Sequence, residues 1–170
     1  ILLGNKKQIE RLKEELEFDV DVLIIDPKDE DHIEQKNKYA EVFWKQQERR
    51  GQTLLTAQKL MRERNYYAAM MVNEGDADAL ITGYSRNYPS VVKPMLDLIG
   101  LAPGSTRIAT TNVMITRRGP MFLSDTAINI NPTAHDLIKI TQMTSGVMKM
   151  FGITPVMAML SYSNFGSSKD

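Results

Sequence analysis

Residues 83 to 94, Gly-Tyr-Ser-Arg-Asn-Tyr-Pro-Ser-Val-Val-Lys-Pro, hold the residue types best suited to chemistry in this chain. Ala79-Leu80-Ile81 just before them is a short apolar run that reads as a buried strand, and Gly83 ends it. A polar loop from Tyr84 to Asn87 follows. Pro89 then opens a helix, since proline at the first helical position gives up no hydrogen bond the helix would have made. A strand end, a glycine and a helix start leave backbone N–H groups free at the carboxyl edge of a sheet, where anions bind in α/β proteins. Arg86 and Lys93 add positive charge. The same residues fit a tight connector with solvated basic side chains, and the stretch by itself does not separate the two.

Two further polar loops follow apolar runs, Ser124 to Asn131 and Ser161 to Ser168. With the first they offer the hydroxyls of Ser85, Ser124, Ser161, Ser163 and Ser167, one arginine, one lysine and the carboxylate of Asp125. Such donors suit a phosphate or a carbonyl oxygen. Asp125 fits a general base or a ribose contact, and equally a buried carboxylate that caps loop amides. The expected ligand site is Gly83, Ser85, Arg86 and Lys93 around the helix start, with Asp125, Ser163, Gly166 and Ser167 facing them. No residue is assigned a catalytic role. His32 and His135 sit near helix starts and read as solvated caps, and no metal set is expected. Neither a nucleophile elbow nor a glycine-rich nucleotide motif occurs.

These loops need a scaffold, and the apolar pattern supplies one. Ile1 to Leu3 reads as a strand end. Asn5 caps a helix to about Glu17 whose inner face is Ile9, Leu12 and Leu16. Val22 to Ile25 is a second strand, closed by Asp26-Pro27. A helix over 32–49 presents Tyr39, Val42 and Phe43, and Gly51 closes it. Thr53 caps the next, to Arg64, with Leu54, Ala57, Leu60 and Met61 inward; Asn65 breaks it and Tyr66 to Asn73 resumes. The helix from Pro89 to Ile99 buries Val92, Met95, Leu96 and Ile99. Ala102-Pro103-Gly104 is the expected boundary, giving domains over 1–103 and 104–170. Beyond it come strands over 107–115 and 121–123 joined by an Arg117-Arg118-Gly119 turn. A capping box at Thr133 and Asp136 opens a long helix to Phe151, facing inward with Leu137, Ile140, Thr144, Val147, Met148 and Phe151. Val156 to Leu160 is a last buried strand. Helices alternating with short strands predict an α/β fold, a mostly parallel sheet with helices on both faces.

Composition narrows the function classes. The 170 residues are 42% apolar and 25% charged with no net charge, so nothing points to nucleic acid or an anionic membrane. The absence of cysteine removes disulfides and thiolate metal sites and fits a cytoplasmic location. Eleven methionines sit at apolar positions, as core filling. Residues 1 to 64 carry 27 of the 42 charged side chains, so the remainder is expected to be more buried or covered by a partner. The opening Ile1-Leu2-Leu3-Gly4 has the look of a piece of a longer polypeptide.

The strings NEGDADALITGY, KPMLDLIG, MFLSDTAININPTAHDL and FGITPVMAMLSYSNFGSS resemble, in order, the phosphate acetyl/butyryl-transferase family. The stretch ERNYYAAMMVNEGDADALITGYSRNYPSVVKPML is most similar to the C-terminal phosphotransacetylase-like domain of large NADP-dependent malic enzymes. The resemblance implies two α/β subdomains with a cleft, in the manner of isocitrate and isopropylmalate dehydrogenases, incomplete here at both ends. Active members move an acetyl group between coenzyme A and phosphate, using arginines and a C-terminal serine–arginine pair that has no counterpart in these residues. Lys93 stands where the family carries one arginine and Gln47 where it carries another, with Arg49 and Arg50 close by. Lysine lacks arginine's bidentate fork, and each lost charge-assisted bond costs about 1.5–3 kcal/mol. The resemblance therefore implies a regulatory and oligomerisation domain that binds acetyl-CoA, following a malic enzyme module of the same polypeptide that would hold NADP and a divalent metal. An active phosphate acetyltransferase and a purely structural assembly module are the alternatives.

Overall fold

The computed structural model describes residues 1–84 and 86–160. Its contacts divide the chain into two compact units, Ile1–Gly100 and Leu101–Asp170.

Unit 1 begins with β1 (Leu2–Leu3), paired in parallel with β2 (Ile24–Ile25) through Leu2↔Ile24 and Leu3↔Ile25. Between them lies α1 (Lys6–Glu15). Its first turn leaves backbone donors without partners, and the Asn5 side chain accepts one of them, from Gln8 at 3.0 Å. Its apolar stripe does not reach a core: Leu12 and Leu16 are exposed and Ile9 is half-buried.

The core of unit 1 is built by α2 (Ile33–Gln47), α3 (Leu54–Leu60) and α4 (Arg64–Asn73). Tyr39, Ala40 and Phe43 of α2 meet Tyr66 and Tyr67 of α4. Tyr39 sits edge-on to Tyr67 with centroids 5.2 Å apart, and Phe43 to Tyr66 at 5.9 Å. This is the arrangement that aromatic quadrupoles favour. A 3-10 turn (Glu48–Arg50) ends at Gly51, whose φ of 82° lies in the left-handed region where glycine has no steric cost. Thr53 caps α3 as expected, but α3 stops at Leu60 rather than Arg64. Asn65 is no break: it lies inside α4, which buries six consecutive residues from Tyr66 to Met71.

Ala79 to Ile81 is not a buried strand. The run has no regular structure and Ile81 is 98% exposed. A strand exists through its ladder, and among the described residues nothing pairs with this segment; the apolar pattern is present without the partner. The following helix, α5 (Tyr88–Leu98), has Asn87 as its cap and Pro89 in its second position. Its buried residues are Pro94 and Leu98, one turn apart, with Met95 packed against the core; Leu96 and Ile99 are exposed and Val92 is half-buried. The inward stripe is thus rotated from the expected one, because Pro94 acts as an apolar core side chain.

Unit 2 opens with an antiparallel hairpin of β3 (Thr111–Thr116) and β4 (Gly119–Ser124), closed over Arg117-Arg118 with Thr116 opposite Gly119. The helix α6 (Ala134–Met150) carries the expected capping box: the Thr133 N–H donates to Asp136 at 3.0 Å and the Asp136 N–H to the Thr133 hydroxyl at 3.2 Å. It buries Asp136, Ile140, Thr144 and Met148, a four-residue period along one face. Phe151 beyond it meets Phe122 of β4 edge-on, 5.6 Å between centroids. Residues 156–160 again lack the expected strand, with Val156 89% and Leu160 85% exposed.

The chain is therefore α/β with helices and small sheets. The expected mostly parallel sheet is replaced, among the described residues, by one parallel and one antiparallel two-stranded ladder. No described helix is long and apolar enough to cross a membrane. Phe43 is fully buried between α2 and α4. Phe43→Ala should lower the urea-unfolding stability of unit 1 by about 3–5 kcal/mol; a loss below about 1 kcal/mol would contradict this packing.

Candidate ligand-binding site

Unit 1 contains an open groove of about 820 Å³. Leu3, Met71 and Leu80 give it an apolar wall, and Arg64, Arg86 and Lys93 stand at it with Ser90. Three cations against one carboxylate, Glu63, make the polar part net positive. Gly83 also lines it, with a φ of 118° that a side chain would strain. The cap of α5 faces this region: the Ser90 N–H donates to the Asn87 side chain at 3.1 Å.

Three side-chain bridges, from Asn65, Gln47 and Tyr66, hold α5 against its neighbours, and the sequence reading missed all of them. Pro94 has no N–H, so the Ser90 carbonyl one turn earlier loses its helical donor. The Asn65 amide supplies one instead, at 3.1 Å, and its own oxygen accepts from the Thr82 hydroxyl at 3.0 Å. Asn65 therefore joins α4 to α5 and to the segment before Gly83. At the other end, the last carbonyls of α5 have no helical partners, and the buried Gln47 amide donates to that of Asp97. The Asp97 carboxylate accepts from the Tyr66 hydroxyl at 2.7 Å and from Lys93 at 3.2 Å. Burial, and then the bond to Asp97, push the Tyr66 hydroxyl far above its ordinary range, so it stays a neutral donor. The four-residue spacing of Lys93 and Asp97 was a legible signal; the contacts of Tyr66 and Gln47 span 31 and 50 residues and left none.

Of the expected site residues, Gly83, Arg86 and Lys93 line this one groove. Ser85, Ser163, Gly166 and Ser167 lie outside the described residues. Asp125 belongs to unit 2 and is turned to its own loop. It accepts from the Asn129 side chain at 2.6 Å, the Asn129 N–H at 2.8 Å, and the Thr110 hydroxyl and N–H at 3.1 and 3.2 Å. Burial pushes this carboxyl up, but the bonds from Asn129 and Thr110 outweigh it and hold the group below the ordinary carboxylate value. Of the two sequence readings, these contacts describe a carboxylate capping loop amides. Among the described residues no group of three His, Asp or Glu could hold a metal ion.

A family model described as phosphate acetyl/butaryl transferase matches residues 1–170. The NADP-dependent malic enzyme of Haemophilus influenzae is 35% identical over 173 residues, which cover 99% of this chain and 22% of that protein. Two solved structures share the fold over the whole of this chain. The EutD phosphotransacetylase from Staphylococcus aureus has a TM-score of 0.79 at 28% identity, and a phosphotransacetylase from Streptococcus pyogenes 0.78 at 35%. The chain spans 51% of each of those two proteins.

The Asp125 bonds have a pH signature. A carboxyl whose folded value is depressed stabilises the fold above its unfolded value, and that stability goes as pH falls through the folded value. Stability of unit 2 should start to drop below the ordinary value of 3.8 and lose the whole contribution once Asp125 is protonated. Asp125→Asn should flatten this acid limb in melts between pH 5 and pH 2; an unchanged limb would mean the four bonds do not favour the charged form.

Proposed function

From its place in the phosphate acetyl/butaryl transferase family, to which this chain belongs, we propose that it is a phosphotransacetylase-like domain that binds acetyl-CoA without turning it over. In this reading it is the regulatory and oligomerisation part of a longer NADP-dependent malic enzyme, whose own module oxidatively decarboxylates malate and holds NADP and a divalent metal. The observation that carries the reading is the groove with Arg64, Arg86 and Lys93 beside an apolar wall. Positive charge suits the phosphates of coenzyme A, and the apolar wall suits its pantetheine arm.

Two positions favour binding over catalysis. Gln47, where the family resemblance places an arginine, is buried and committed to the Asp97 carbonyl. Lys93, at the second such position, offers a single ammonium, paired with Asp97. An oxyanion developing in a transition state needs donors that are already in place, and neither position offers an arginine fork. The match to a malic enzyme of which this chain covers 22% supports a domain of a larger protein.

The second reading is a working phosphate acetyltransferase, and the likeness to two phosphotransacetylases fits it about as well. Calorimetry on the intact polypeptide separates them. Acetyl-CoA should bind while the thioester absorbance stays constant in the presence of phosphate. Phosphate-dependent loss of thioester would establish the transferase instead, and no heat of binding would remove both. Arg86→Ala should weaken acetyl-CoA binding about tenfold to a hundredfold with little change in melting temperature, because the side chain is exposed; unchanged affinity would show that the groove is not the site.

A further inference from the structure

Asp97 is the point on which the groove's cation and the supports of α5 converge. Its backbone carbonyl accepts from Gln47 of α2, and its carboxylate from Tyr66 of α4 and Lys93 of α5. Among the described residues the carboxylate's side-chain donors meet on one oxygen: Tyr66 and Lys93 both reach Oδ2. Tyr66 is buried, so its hydroxyl keeps the carboxylate in place. Lys93 is different, since its side chain is 68% exposed and stands at the groove beside Arg86 and Ser90. One partner of Asp97 is thus fixed and the other can leave.

We infer that Asp97 sets the groove's affinity for phosphate-type anions, by holding Lys93 as an internal counter-ion that an incoming oxyanion must take over. The inference rests on the proposed binding role of the groove. An ion pair at four-residue spacing whose cation is exposed is weak, so Lys93 is exchangeable rather than locked. The carboxylate that remains also repels a dianion beside it. Both effects lower affinity in the same direction. Asp97 is therefore a positioning residue: it touches no ligand and acts through Lys93. Arg64 and Arg86, by contrast, have no ion-pair partner among the described residues, where Lys93 is the groove cation held in an ion pair.

The test is isothermal titration of the intact polypeptide with acetyl-CoA and, separately, inorganic phosphate. Asp97→Asn keeps an oxygen for Tyr66 and leaves the carbonyl that Gln47 uses, while removing the charge. It should tighten binding by roughly threefold to tenfold, and the gain should vanish in a Lys93→Met background. Tyr66→Phe shifts the balance the other way: with its fixed donor gone, the carboxylate binds Lys93 more strongly, and affinity should fall by about twofold to threefold. The two variants thus predict opposite signs, which a loss of packing common to both would not produce. Wild-type binding that is unchanged or weakened by Asp97→Asn, or a gain that survives Lys93→Met, overturns the inference while leaving the proposed binding role intact. If neither anion binds the wild type or any variant, the groove is not an anion site and both fall together.

Discussion

Three helices of unit 1 are joined at a single residue. Asp97 lies in the last turn of α5, where a helix leaves carbonyls without partners, and its side chain faces a buried tyrosine of α4 and a lysine one turn back. Without the Gln47 amide, the end of α5 would carry an unpaired carbonyl beside a packed core, an expense of about 1–3 kcal/mol. Without Tyr66, the carboxylate would be bound only from the solvent side. Because α5 also carries Lys93 and begins next to Arg86, the position of every cation on that side of the groove follows from this junction and from the Asn65 bridge at the opposite end.

The elements that depend on local rules were legible in the chain. Asn5, Thr53 and the Thr133–Asp136 box all cap helices as expected, because a short polar side chain and a free N–H three residues on are enough; Asn87 caps α5 by the same rule, from a stretch whose sequence reads as loop. The Arg117-Arg118 turn was legible for the same reason. What failed was non-local. Ala79 to Ile81 and Val156 to Leu160 have strand composition, yet a ladder depends on a neighbour that no window of sequence contains. Asn65 looked like a helix breaker until Pro94, 29 residues later, gave its amide a carbonyl to serve. In the site, Gly83, Arg86 and Lys93 share one groove, while Asp125 spends its lone pairs on Asn129 and Thr110.

Two positions that the family resemblance singles out, 47 and 93, meet at one residue. Gln47 and Lys93 are 46 residues apart in sequence, and both end on Asp97. A guanidinium at position 47 would face the neighbouring Arg50 from a buried site, where a second charge is costly. The neutral amide fits there and donates to the last turn of α5. Position 47 thus supports the end of α5, while Lys93 stands at the groove.

If negative charge is seated in the groove beside the start of α5, acetyl-CoA should protect that segment of backbone. Hydrogen–deuterium exchange on the intact polypeptide, with and without saturating acetyl-CoA, reads this out. Slowed exchange in peptides covering residues 83–93 is the predicted result. Protection confined to other parts of the chain, with these peptides unchanged, would contradict it.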